Sequence, residues 1–210
     1  LHVLNDYNNI TEEWVDSIYA VYSEVTAVTR YGFNGLPEWE VLIDTPVSDD
    51  HYASCVYGDT IYMAATHLGI YNYFYKLSGM RGDWDRIASS GGDPNVNNAI
   101  MAVHNERLYI CDYWGELYIL REDESGWDFY QSSPSGYYYP KNLISYSGYL
   151  FLVTGNNYSD FDTTTELYIL KEGGYLQSWW YGPQGLRSSV IYQDRLYYSS
   201  SYPSYGNIIR

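Results

Sequence analysis

Positive charge is scarce in this sequence. The chain of 210 residues carries 11 Lys and Arg against 26 Asp and Glu, a formal charge of −15, and its lysines are Lys76, Lys141 and Lys171 alone. Proteins that hold a nucleic-acid backbone do so with clustered Lys and Arg, so no nucleic-acid partner is expected. No apolar run approaches the roughly 18 residues of a spanning helix, so no membrane insertion is expected either. Two cysteines, Cys55 and Cys111, are too few for a disulfide framework and read as small buried hydrophobes. His2, His51, His67 and His104 are scattered, without the His-x-x-x-His or Cys-x-x-Cys spacing of a metal site. No glycine-rich phosphate loop precedes a helix, and helical periodicity is confined to residues 10–21, which would support a turn or two. No cofactor is expected.

Tyrosine is what the chain has in excess. There are 28, with 7 Trp and 5 Phe, in a sequence that is 46% hydrophobic. That is far too apolar for a disordered acidic chain and enough for one large domain with its own core.

The aromatics recur in a pattern. Leu117-Tyr118-Ile119-Leu120 echoes Leu167-Tyr168-Ile169-Leu170, and Phe74-Tyr75-Lys76-Leu77 falls in register with both. Each is followed, 9 to 12 residues after its Tyr, by Trp84, Trp127 or the pair Trp179-Trp180. Upstream of each lies another apolar run, Ile61-Tyr62-Met63, Leu108-Tyr109-Ile110 or Leu150-Phe151-Leu152, with a further copy at Leu196-Tyr197-Tyr198. Ahead of these come β-rich segments ending in hairpin-type turns at Gly58-Asp59, Asn105-Glu106, Gly148 and Asp194. The unit is four short strands, the last bearing Trp. Leu1-His2-Val3-Leu4 begins a first copy, with Trp39 in the fourth-strand place and residues 7–17 as an insertion between its first two strands.

First strands recur near residues 1, 53, 100, 143 and 189. A four-stranded repeat of roughly 40 to 50 residues is the signature of a β-propeller blade. The expected fold is therefore all-β, a single propeller domain with about five blades visible, at 1–52, 53–99, 100–142, 143–188 and 189–210. The last is incomplete, because residues 207–210 fill a third-strand place, and the chain is expected to be part of a longer one. The strand patterns and the following Trp resemble the kelch-like group of propellers. The Gly-Gly pair that kelch repeats carry after the second strand is replaced here by Ala64-Ala65, Cys111-Asp112, Thr154-Gly155 and Ser199-Ser200. The resemblance implies architecture and no activity, because propellers host enzymes, lectins and scaffolds alike.

Strands that alternate in direction put the loops between second and third strands, and those between successive blades, on one face. That face collects Tyr113, Trp114, Tyr137, Tyr138, Tyr139, Tyr158, Asp160, Tyr202 and Tyr205 among Asn, Ser and Gly. Flat rings cover the apolar faces of sugars and polar side chains bond their hydroxyls, while the same mixture suits protein surfaces. The expected function is a non-enzymatic recognition module that binds glycan, with a protein-binding or assembly role as the alternative and a glycosidase or lyase third. A hydrolase needs two facing carboxylates about 5 to 10 Å apart. The candidate acids, Asp49, Asp50, Asp93, Asp112, Asp160 and Asp162, lie at the loops and not along the first strands. Asn156, Asp160 and Asp162 form a weak calcium candidate. Asn9 and Asn157 match the glycosylation pattern and, with the composition, point to a secreted or surface-displayed protein.

Overall fold

The computed structural model describes residues 2–8, 13–21, 27–31, 39–44, 50–67, 71–78, 83–87, 93–132, 139–155, 165–171, 175–182, 186–193 and 195–200. Among them there is no helix. The strands run in four antiparallel sheets of four and one hairpin, each sheet in simple up-and-down order. The first holds β1 (His2–Asn8), β2 (Glu13–Val21), β3 (Ala27–Tyr31) and β4 (Trp39–Asp44), and the second β5 (Asp50–Tyr57), β6 (Thr60–His67), β7 (Tyr71–Ser78) and β8 (Asp83–Arg86). Then come β9 (Ile100–His104), β10 (Arg107–Cys111), β11 (Leu117–Leu120) and β12 (Trp127–Gln131). The fourth comprises β13 (Tyr139–Tyr146), β14 (Tyr149–Gly155), β15 (Thr165–Lys171) and β16 (Tyr175–Gly182), and the hairpin β17 (Leu186–Tyr192) and β18 (Arg195–Ser200).

The chain divides into two compact units: Leu1–Asn97 with Glu122–Gly126, and Asn98–Arg121 with Trp127–Arg210. Within the first unit β1 lies beside β5, and within the second β13 lies between β9 and β17. Within each unit, first strands of successive sheets are thus neighbours, as in propeller blades.

The repeat becomes packing through the two-residue period of a strand. In the second unit Tyr109, Cys111, Leu117 and Ile119 of one sheet meet Leu143, Leu150, Leu152, Tyr168 and Leu170 of the next in one buried cluster. The intervening residues Ile144, Phe151, Val153, Leu167 and Ile169 form a second cluster on the opposite face. A sheet buried on both faces needs strands that are nearly continuous apolar runs, which is why Leu150 to Val153 and Leu167 to Leu170 carry no charge. In the first unit Met63, Ala65 and Tyr75 pack together with Tyr73, whose ring also lies 4.2 Å beneath the Arg86 guanidinium carbon. The repeat tyrosines Tyr62, Tyr75, Tyr109, Tyr118 and Tyr168 are all buried, each burying an aromatic area worth about 1.5–3 kcal/mol.

The hairpins between first and second strands are set by their turns. Asn105 and Glu106 both have positive φ, as do Ser147 and Gly148, the geometry whose twist matches that of paired strands. Gly58 opens its turn at φ 59 with open space around it. In the first sheet the structure departs from expectation. Of the stretch expected as an insertion, residues 7, 8 and 13–17 belong to the sheet and lengthen its first pairing, with Tyr7 paired to Trp14 and Asn8 to Glu13. From Glu13 on, the stretch expected to support a helical turn is instead strand β2, because Trp14, Val15, Ile18 and Val21 are β-formers and have a partner strand to pair with. First strands also start earlier than the motifs do, at Asp50, Tyr139 and Leu186. There β5, β13 and β17 each carry one extra residue near the start, Tyr52, Lys141 and Arg187.

Candidate ligand-binding site

Five residues join β10 to β11, and the loop closes on itself. The Asp112 side chain is buried, and its Oδ1 accepts the amides of Trp114 and Glu116, each at 2.9 Å. The Asp112 amide donates to the Glu116 carbonyl at 2.9 Å, and the Gly115 amide donates to the Asp112 carbonyl at 3.0 Å. Gly115 takes φ 78, which a glycine adopts at no steric cost. An Asp that bonds the backbone two residues on is a turn-former by chemistry, and here it fixes the loop tip.

That tip carries the aromatics. Tyr113 stands edge-on to Trp114, with centroids 4.8 Å apart and planes at 87°, and edge-on to Tyr139 of β13 at 4.9 Å. The Tyr113 hydroxyl donates to that of Tyr139 at 3.2 Å. Trp114 is 51% exposed, one of the most exposed large apolar side chains described. Edge-to-face pairs contribute about 0.5–1.5 kcal/mol beyond area burial, so Tyr113 is clamped from two sides and Trp114 is presented from a fixed base. Preorganised rings lose little conformational freedom on binding.

The surrounding charges are engaged locally. Tyr118 donates its hydroxyl to Glu116 Oε2 at 2.9 Å. Burial, then the nearby Asp112 and Glu116 carboxylates, push the Cys111 thiol up, which keeps it protonated and inert. Further along β9, His104 Nδ1 lies 3.0 Å from Ser145 Oγ on β13, tying two first strands together. Burial lowers the His104 pKa, so the ring is neutral at pH 7.

Of the site residues expected from sequence, Tyr113, Trp114 and Tyr139 are brought together. Tyr137, Tyr138, Tyr158, Asp160, Tyr202 and Tyr205 lie outside the described residues, as do the calcium candidates Asn156, Asp160 and Asp162 and the glycosylation candidates Asn9 and Asn157. Asp112, one of the candidate acids, is the brace of its loop, a turn-capping role that the Asp-x-x-Gly spacing signals. Asp50 is the first residue of β5, paired with Thr66, and Asp93 is half-buried in the segment before β9. Neither cysteine forms a disulfide; Cys111 is buried as expected, whereas Cys55 is only half-buried.

No family model matches the chain, and no curated protein does. Solved structures do match. The structure of YjhT superposes with a TM-score of 0.68 at 12% identity, covering 94% of this chain and 70% of that one. The structure of YCF48 bound to D1 peptide gives 0.58 at 14% identity over 94% of this chain, and YCF48 from Cyanidioschyzon merolae gives 0.58 at 12% over 87%. The likeness shows a β-propeller fold. This chain spans 62% and 60% of the length of the two YCF48 chains.

Proposed function

We propose that the chain is a non-enzymatic recognition module that binds glycan on its aromatic loop face, in a secreted or surface-displayed protein. The observation that carries this reading is Trp114, half exposed on a loop braced by four hydrogen bonds and backed by Tyr113 and Tyr139. An exposed indole on a rigid base is a platform for the apolar face of a sugar ring. Tyr137, Tyr138, Tyr158, Asp160, Tyr202 and Tyr205 extend the platform in this reading. A binding role fits the chemistry of the loop better than catalysis does, because the Asp112 carboxylate is committed to backbone amides.

A second reading, peptide or protein binding within an assembly, is favoured by one finding: YCF48, a structure of the same fold, is bound to D1 peptide. Rigid aromatics with adaptable Ser, Gly and Asn neighbours serve protein ligands equally well. A glycan array followed by calorimetric titration separates the two. Glycan binding that weakens about tenfold or more in Trp114→Ala supports the first reading, at the scale of about 1.4 kcal/mol per decade. An array without hits, or binding indifferent to Trp114, defeats it, and peptide capture lost in Trp114→Ala transfers the site to the second.

A further inference from the structure

The loop that presents Trp114 is acidic as well as aromatic. Asp112 lies two residues before the indole and Glu116 two after it, and the amides of Trp114 and Glu116 bond the same Asp112 oxygen at 2.9 Å, which holds the three residues at one tip. A hydroxyl or amide that donates to a carboxylate favours its charged form without cancelling the charge. The Tyr118 hydroxyl does this for Glu116 at 2.9 Å, and the two amides do it for Asp112. Burial, and then Asp112 and Glu116, hold the Cys111 thiol above its ordinary value, the mark of a negative potential at the end of β10. The whole chain is acidic, with a formal charge of −15. That wider field is screened beyond about 8 Å at physiological salt, so the carboxylates of the loop itself set the sign of charge that Trp114 meets.

The indole points the same way. Tryptophan is the aromatic side chain that attracts a cation most strongly to its face, and the attraction grows where water is partly excluded. Trp114 is half exposed and held edge-on by Tyr113, which Tyr139 holds in turn, so a ligand meets an open ring that it need not order. A peptide docks along a groove or a strand edge. One indole at the tip of a short loop between β10 and β11 is instead the footprint of one sugar unit, which offers an apolar face to stack and a substituent to carry charge.

We infer that the sugar stacked on Trp114 is a cationic one, a 2-amino sugar whose ammonium lies over the indole in the field of Asp112 and Glu116. This rests on the glycan reading above and narrows its ligand to amino sugars with a free amine. The test titrates the full chain with three tetrasaccharides of one linkage, built from glucose, N-acetylglucosamine and glucosamine, at a pH where the free amine is protonated. The glucosamine form binds about fivefold tighter than either neutral form. Raising the pH until the amine is neutral removes that preference, and the N-acetylglucosamine arm, which has no amine to titrate, reports any change in the protein itself. Glu116→Gln lowers the preference about twofold, while Glu106→Gln, the same change of charge about 20 Å away along β10, leaves it as it was. Fluorinated tryptophan placed at position 114 keeps the shape of the indole and weakens its negative face, so each added fluorine costs glucosamine binding more than it costs the neutral sugars. Equal affinity for the three sugars, or a preference indifferent both to Glu116→Gln and to fluorination, overturns the inference and leaves glycan binding standing. No binding by any of the three defeats the glycan reading and this inference with it.

Discussion

Two turns of the same spelling flank β11. Asp112-Tyr113-Trp114-Gly115 precedes it and Asp123-Glu124-Ser125-Gly126 follows it, and in both the Asp side chain accepts the amide two residues on. The first closes on its own backbone. Its Asp is buried and accepts two amides of the same loop, and what it presents outward is an indole. The second reaches outward. Asp123 is exposed, Glu124 sits at φ 55, and the Glu124 carboxylate takes the Tyr62 hydroxyl at 2.6 Å and the Lys76 ammonium, so that Glu122–Gly126 belongs to the compact unit containing β6 and β7. Identical turn chemistry thus serves presentation in one place and anchorage in the other. The residues between Asp and Gly decide which.

The sharpest way to break this comparison is to remove the two aspartates in turn. Asp112→Ala leaves two amides of a partly buried loop without their acceptor and costs about 2–3 kcal/mol in chemical denaturation, whereas Asp123→Ala, at an exposed turn, costs about 0.5 kcal/mol. Equal costs would mean that the loops are braced alike. Asp112→Asn keeps an accepting oxygen and loses about 1 kcal/mol or less, a result that a role in acid catalysis of binding-site chemistry would not require.

Glu124 gives the next effect. Burial works to raise its pKa, but the hydrogen bonds from Lys76 and Tyr62 outweigh it and hold the carboxyl below its ordinary value. A carboxylate whose folded pKa is depressed stabilises the fold above its unfolded pKa, and that stabilisation is lost as pH falls through the folded value. Glu124→Gln therefore costs about 1 kcal/mol at neutral pH, discounted because both partners are about a third exposed, and costs nothing once acid has protonated the wild-type group. Denaturation midpoints at neutral and acid pH check the sign. On the Tyr62 side, burial and then the Glu124 bond push the phenol up, so it stays protonated throughout.

Smallest in stability is Trp114→Ala, at about 0.5 kcal/mol, since the ring gives up an edge contact and half its surface already meets water. A cost above about 2 kcal/mol would mean that the indole is core and not platform, and would sharpen the comparison against presentation.

The fold was legible where its signal is periodic. Leu-Tyr-Ile-Leu at 117–120 and 167–170 announced buried strands, and all eight residues are buried. The two-residue turns were legible because Asn, Gly and Asp are the residues that tolerate left-handed backbone. Pairings across long stretches of chain were not. Glu124 meets partners 48 and 62 residues away, and nothing in its own neighbourhood of sequence specifies them. The lengthened pairing of β1 and β2 was hidden by Asn8 and Glu13, which look like loop but pair once Tyr7 and Trp14 beside them do. Of the candidate site, the aromatic types were visible and their mutual clamp was not, because edge-to-face contact between Tyr113 and Tyr139 depends on the loop after β10 meeting the start of β13.

The hairpin turns have a consequence for how the chain finds its fold. Strands with nearly the same apolar pattern recur along it, so a first strand could dock on another sheet's second strand at little energetic loss. A two-residue connection settles the competition by speed, since hairpins close in about 1–10 μs, well before distant segments meet. Asn105-Glu106 and Ser147-Gly148 thus act as addresses, giving each interchangeable strand one correct neighbour.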